Sequence, residues 1–232
     1  MRLCVIGDSH TAALKRSWDD IGSNRKDVSI RFFASRGVTI SNLKIESGAL
    51  VPHKKFIEKQ MELSSGGSSR IVEEDYDTFL VYGLKCKPCF IDPNYFYSDQ
   101  LLMQILSDTV DTASLKLIKK IRQISGKKIW VGHTPLEAAF EDTSQVIPNE
   151  YLMGIKHLNE SYYRPLNAEL VTQPSETIAG GYYTLEKYTK GSKRLDIGLK
   201  DESEFHEVED REHMNDEFGR LWLESFIRML TK

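Results

Sequence analysis

A serine hydroxyl at the end of a buried apolar run, and a carboxylate three residues ahead of a histidine far down the chain, are the groups whose types and spacing can do chemistry here. The first lies in Gly7-Asp8-Ser9-His10, directly after Leu3-Cys4-Val5-Ile6; the second is Asp210-Arg211-Glu212-His213. A serine hydroxyl is a poor nucleophile at neutral pH and needs a neighbouring base. His213 offers one, able to take the proton and later return it to a leaving group. Asp210 offers an acceptor for the other ring nitrogen, which fixes the tautomer and stabilises the imidazolium. The pairing carries the reading. Alone, Gly-Asp-Ser is common in turns, and Asp-Arg-Glu-His reads as a solvated charge run that caps the next helix.

Such a meeting requires a fold that returns distant loops to one edge. Strand-like runs near 2–6, 28–33, 78–82, 128–132 and 168–172 alternate with segments of helical apolar spacing. The helical segments run from Thr11 to Ile21, Leu101 to Ile124, Tyr151 to Leu166 and Leu221 to Leu230. This alternation predicts a three-layer α/β/α fold with a five-stranded parallel, flavodoxin-like sheet. All strand carboxyl ends then open on one edge. Ser9 follows the first strand, Gly37 the second and Gly83 the third, and His213 precedes the last helix. The backbone N–H groups of Ser9 and Gly37 are placed by this topology to bind the oxyanion of acyl attack. Ser64 to Ser69 reads as a flexible loop, Gly126 as the cap of the long helix, and His133 as a strand-end residue at the rim of the site. Residues 180–209 read as an irregular excursion over that rim, within a single domain covering 1–232.

Composition narrows the classes. The chain has 232 residues, 40% of them hydrophobic and 28% charged, with a net charge of -3. That is ordinary for a globular domain and gives no basic surface for nucleic acid or an anionic membrane. No apolar run approaches the roughly 20 residues of a membrane span, and Arg2 is followed by too short an apolar run for a secretory core. A cytoplasmic protein is therefore expected, with no cofactor, no metal and no membrane partner; oligomeric state is not legible. Of the three cysteines, Cys4 reads as a small core residue, and Cys86-Lys87-Pro88-Cys89 is a single CxxC. With no second ligand pair nearby, reduced loop thiols are expected rather than zinc or redox chemistry.

Four short blocks resemble the GDSL/SGNH hydrolase family. Gly7-Asp8-Ser9-His10 looks like its nucleophile block, Gly37 like its glycine block, and Gly83 like the start of its Gly-x-Asn-Asp block. Asp210-Arg211-Glu212-His213 resembles its Asp-x-x-His block, with Asn215 and Gly219 like residues that often follow it. The resemblance implies ester hydrolysis or acyl transfer through an acyl-serine, with Ser9, His213 and Asp210 as triad. Members with His after the Ser often act on acetylated polysaccharides, so a small-molecule or carbohydrate ester is the implied partner. One block departs from the pattern. Lys85 stands where the family has its oxyanion asparagine, and Cys86 where it has aspartate. Losing one such donor costs on the order of a hundred- to a thousandfold in rate. Lys85 as a cationic donor and Asn42 are the candidate replacements; an impaired domain that binds a carbohydrate or partner without turnover is the alternative.

Different chemistry can start from the same residues. Asp8-x-His10 after a first strand also looks like the opening metal motif of metallophosphoesterases, and Gly132-His133 resembles a second piece. The further ligand blocks of that family have no counterpart in Ser35-Arg36-Gly37-Val38 or Tyr82-Gly83-Leu84-Lys85.

Overall fold

Strand β1 (Arg2–Gly7) turns Leu3 and Val5 to one face of the sheet and Cys4 and Ile6 to the other, and all four are fully buried. Burial on both faces is what a central strand of a parallel sheet requires. In this computed structural model, which describes residues 1–110, 112–140, 149–196, 198 and 204–231, β1 lies between β2 (Ser29–Ala34) and β3 (Thr78–Tyr82). Next to β3 come β4 (Ile129–Gly132) and β5 (Ala168–Val171), giving a five-stranded, all-parallel sheet in the order β2-β1-β3-β4-β5. The strand order reverses between β1 and β3, so a crevice opens at their carboxyl ends.

Helices cover both faces. On one side α1 (Thr11–Ile21) and the last helix, Asp216–Leu230, pack Leu14, Phe218, Trp222 and Phe226 against Leu3, Val5, Leu80 and Tyr82. On the other side α2 (Lys55–Ser65), α3 (Asp99–Val110), α4 (Ala113–Ile124) and α5 (Asn149–Leu158) bury Ile57, Leu106, Ile118 and Tyr151 against the opposite strand faces. The last helix is therefore α6. Each contact uses an apolar stripe of helical period, the usual way a helix covers a sheet. Among the described residues no helix is long and apolar enough to cross a membrane.

Several local expectations change. The long pattern from Leu101 to Ile124 is two helices, α3 and α4. Helix α4 is capped by Ser125 in extended conformation rather than by Gly126. Ser64 and Ser65 form the last turn of α2, where Ser64 Oγ is buried and takes the N–H of Ala34; Gly66 is the left-handed cap. The segment after Leu158 continues as a π turn (Asn159–Tyr163) and a 3-10 turn (Arg164–Leu166). A small antiparallel sheet of Lys44–Glu46, Ala49–Val51 and Ile71–Val72 has no counterpart in the sequence reading. In the 180–209 excursion, residues 197 and 199–203 lie outside the described residues. The rest is tied down. Thr184 pairs with Ala138, Lys193 with Phe205, and the Asn215 side-chain amide donates to the carbonyls of Lys187 and Lys190.

Candidate active site

Ser9 sits in the turn between β1 and α1, and Asp8 shapes that turn. Its Oδ1 accepts the N–H of His10 at 3.1 Å, and its Oδ2 accepts the N–H of Leu84 at 2.7 Å. The buried carboxylate thus ties the end of β1 to the end of β3. Gly83, at φ +73°, leaves no room for a Cβ, which would stand 2.4 Å from Asp8 Oδ1. Leu84 and Lys85 follow at φ +56° and +59°, a conformation that costs non-glycine residues roughly 1–2 kcal/mol each. The turn is closed by the Cys86 N–H on the Gly83 carbonyl and braced by the Thr134 N–H on the Cys86 carbonyl.

His213 is presented from the loop before α6. Asp210 folds that loop on itself: its Oδ1 accepts the N–H groups of Glu212 and His213, each at 2.9 Å. This Asx-type turn brings the His213 ring back over the same carboxylate, which explains the three-residue spacing. The His213 Nδ1–H donates to Asp210 Oδ2 at 2.9 Å. A carboxylate can only accept, so the proton is on Nδ1 and Nε2 has its lone pair free. Ser9 Oγ lies 3.0 Å from Nε2 and donates to it. Burial disfavours the Asp210 carboxylate, but the backbone and ring N–H groups of His213 and the N–H of Glu212 outweigh it and hold the group below its ordinary 3.8.

The proximity of Ser9 and His213 follows from helix packing. Asn215 caps α6 by accepting the Phe218 N–H, and Gly219 lies so close to α1 that a Cβ there would meet the Ala13 carbonyl oxygen at 2.3 Å. Ser17 Oγ donates to the Asp216 carbonyl, and Arg16 pairs with the Asp216 carboxylate at 2.7 Å. The two helices that follow Ser9 and His213 are thereby locked at their first turns.

Ser9 and His213 stand where two depressions meet. One, of about 490 Å³, is charged and includes Arg36, Arg194, His206 and Asp210. The other, of about 740 Å³, includes Gly37, Lys85, Phe90, Tyr182 and Tyr183. Gly37 begins a 3-10 turn at φ +60°, so it and Lys85 are brought to the serine's cleft. Asn42 is not. Its side-chain oxygen accepts from Lys116 on α4, and it lines neither depression. Tyr182 and Phe90 face each other in the cleft with ring centroids 5.0 Å apart, whereas Tyr163 is buried and bonds Cys86 Sγ at 3.3 Å.

Three further sequence readings are resolved. All three cysteines are free and buried, and burial pushes the thiols of Cys86 and Cys89 up to about 11, which favours the protonated form near neutral pH. His133 is buried rather than at the rim. Its Nδ1–H donates to the Thr134 carbonyl, its Nε2 accepts from Tyr151 Oη, and burial lowers it to about 4. Both oxygens of Asp8 accept backbone N–H groups, which makes the side chain a structural anchor of the two turns. His206, which the sequence reading passed over, reaches Asp210 Oδ2 with its Nδ1 at 3.2 Å. His206, Asp210 and His213 have the donor spacing of a cation site. The two rings, however, are parallel within 11°, so their in-plane lone pairs run side by side instead of converging. Its only signal in the sequence is a histidine four residues ahead of Asp210.

No protein-family model matches the chain, and no curated protein matches it. Among solved structures it is similar to the periplasmic domain of a lipopolysaccharide acetyltransferase from Salmonella ser. Paratyphi A. That match has 10% identity and TM-score 0.47, and covers 100% of this chain and 84% of that one. A gut microbial diltiazem-metabolizing enzyme follows at 8% identity and TM-score 0.35, over 76% of this chain and 37% of that one. A flavoprotein from Lactobacillus acidophilus in complex with FMN has 9% identity and TM-score 0.26, over 73% of this chain and 89% of that one. Likenesses this distant carry no argument about activity, which rests on the geometry above.

Proposed function

We propose that this protein is a serine-dependent acyl-transfer enzyme of SGNH type, acting on an O-acetylated carbohydrate or a small ester. The observation that supports it is the unbroken chain from Ser9 Oγ through His213 to Asp210, at 3.0 and 2.9 Å, at the mouth of an open cleft. In this reading His213 Nε2 takes the Ser9 proton as Oγ attacks the ester carbonyl carbon. Asp210 stabilises the imidazolium that forms. The tetrahedral oxyanion is bound by the N–H groups of Ser9 and Gly37, with the Lys85 ammonium in the place of an asparagine amide. Collapse breaks the C–O bond, the alkoxide leaves with the proton from Nε2, and the acyl group stays on Ser9. Water or a sugar hydroxyl then removes it by the same steps in reverse. The paired rings of Tyr182 and Phe90 offer apolar faces to a sugar or acyl group.

Turnover of 4-nitrophenyl acetate by wild type and by Ser9→Ala tests this, together with mass spectrometry after treatment with a serine-reactive phosphonate. Serine-dependent turnover and a single adduct on Ser9 are expected. Equal rates for the two proteins, with no adduct, would replace the enzyme by a domain that binds without turnover, the reading that Lys85 favours.

A further inference from the structure

The 3-10 turn that borders the cleft has a second end that the proposed chemistry does not use. Gly37 and Val38, at the start of Gly37–Asn42, line the cleft beside Ser9. The far end is gripped by two lysines of α4. Lys116 donates to the Asn42 side-chain oxygen, and Lys120 donates to the carbonyls of Ser41 at 3.1 Å and Leu43 at 2.6 Å. The chain then enters the small antiparallel sheet, where Lys44 pairs with Val51. Val51 stands two residues before His53 and three before Lys54. Helix contacts and sheet register thus gather Lys44, Lys54, Lys116 and Lys120 from three separate segments.

His53 registers the result. Burial lowers its imidazole below the ordinary 6.5, and the charges of Lys54, Lys44, Lys120 and Lys116 lower it further. Burial and the charge of Lys116, one turn away on α4, lower Lys120 as well. None of the four lysines is ion-paired among the described residues. Glu46, on the strand of Lys44, and Glu58, in the first turn of α2, belong to adjoining segments and pair with none of them. The net charge of -3 therefore conceals a local excess of positive charge. Like charges gathered without partners are unfavourable for the folded chain, and they concentrate ligands of the opposite sign. Lys44, Lys54 and Lys116 are exposed. The exposed Phe56 ring, 5.9 Å from the Lys54 ammonium, adds an apolar face.

We propose that this lysine patch binds a polysaccharide bearing carboxylate groups, and that the same polysaccharide carries the ester presented to Ser9. The six-residue turn spans about 10 Å at the 3-10 rise. A glycan leaving the cleft over Gly37 reaches the lysines within a few sugar units. Lysine presents a single point charge on a flexible stem, which suits carboxylates spaced along a chain. The bidentate fork that favours phosphate belongs to arginine, and the cations around His53 are all lysines. The ester at Ser9 rests on the acyl-transfer reading; the binding of the polyanion does not.

Affinity electrophoresis and calorimetry of the full chain on polygalacturonate, with dextran as the uncharged control, test this. Wild type is compared with Lys44→Gln/Lys54→Gln/Lys116→Gln, in which glutamine keeps a donor for Asn42. A control, Lys15→Gln/Lys128→Gln/Lys190→Gln, removes the same charge from lysines paired to carboxylates. Wild type is expected to bind polygalacturonate and not dextran, and more weakly as salt rises. The patch variant should lose roughly tenfold in affinity, the combined effect of three exposed ion pairs. Lys54→Gln alone, which gives up no hydrogen bond, should lose roughly two- to threefold. The control variant and Ser9→Ala should bind as wild type does. Equal affinities in wild type and the patch variant would overturn the proposal, as would no binding of polygalacturonate or an equal loss in the control. Tighter lysine-dependent binding to phosphatidylserine vesicles or to a single-stranded oligonucleotide would also overturn it, giving the patch to a membrane or a nucleic acid. If the lysines bind polygalacturonate but wild type shows no serine-dependent turnover of 4-nitrophenyl acetate, the patch stands and the esterase reading falls.

Discussion

Asp8→Asn is the substitution that best separates a structural anchor from a metal ligand in the nucleophile turn. The carboxylate accepts the N–H of His10 with one oxygen and the N–H of Leu84 with the other, and it is only 5% exposed. An asparagine keeps one oxygen, and the shorter bond to buried Leu84 should retain it. The amide NH₂ must then face the His10 N–H, donor against donor. Losing a charge-assisted hydrogen bond costs about 1.5–3 kcal/mol, and leaving buried donors unpaired adds about 1–3 kcal/mol. A destabilisation of about 3–5 kcal/mol follows, which in a chain of this size lowers Tm by on the order of 10 °C. Activity should fall as well, because the displaced His10 N–H belongs to the turn that carries Ser9. Thermal unfolding followed by far-UV circular dichroism, with and without a chelator and added divalent ions, measures this. A Tm within a degree or two of wild type would refute the anchoring role. So would a wild-type Tm that drops on chelation to that of the variant.

Two other outcomes follow from the packing. His133 is held near 4 by burial against an ordinary 6.5, so the unfolded chain takes up the proton first as the pH drops. Its contribution to stability is complete above about pH 6.5 and is lost toward pH 4, amounting to about 2.5 kcal/mol at pH 4.5. Urea unfolding at pH 7 and 4.5 should show that loss in wild type and a correspondingly smaller one in His133→Gln; equal losses would contradict the assignment. Gly219→Ala places a methyl 2.3 Å from the Ala13 carbonyl oxygen, so α1 and α6 must separate. Because Ser9 and His213 ride on the starts of these helices, kcat should fall at least tenfold even at temperatures where the variant is fully folded. An unchanged kcat would show that the serine–histidine distance is not set by this contact.

The sheet was legible because each of its strands is a short apolar run and because alternation of strand and helix leaves few topologies. Ser9, Asp210 and His213 were legible for a related reason: residues at the carboxyl ends of parallel strands share one edge whatever their distance in sequence. What escaped has identifiable causes. The small antiparallel sheet uses strands of two or three residues, too short for any period to show. Helix α2 was hidden by its polar face and by a serine- and glycine-rich end, although Ser64 is a buried helical residue that holds β2. Asn42, a candidate oxyanion donor by residue type, ends the 3-10 turn that begins at Gly37 and is held by Lys116 instead. His206 lies in the polar excursion, where neither hydrophobic period nor motif spacing marks a residue whose ring stacks on His213.

The departure at Lys85 falls on the most strained backbone of the site. Gly83, Leu84 and Lys85 are successive positive-φ residues, and neither leucine nor lysine is comfortable there; asparagine would be. Relaxing the turn to ordinary backbone would free the Leu84 N–H from Asp8 and the Cys86 N–H from the Gly83 carbonyl. The strain is thus held by the same carboxylate that holds the Ser9 turn, and the two turns form one mechanical unit across β1 and β3. Retained strain of this kind concentrates at functional sites, where the neighbouring structure over-determines an unfavourable backbone. Here it keeps an exposed lysine at the cleft that Ser9 and His213 line. In the proposed reaction this exchanges a neutral amide donor for a mobile cation. A cation attracts a developing oxyanion more strongly than an amide does but is less rigidly placed, because its reach depends on a four-carbon stem. The strained backbone supplies part of the rigidity that the side chain lacks.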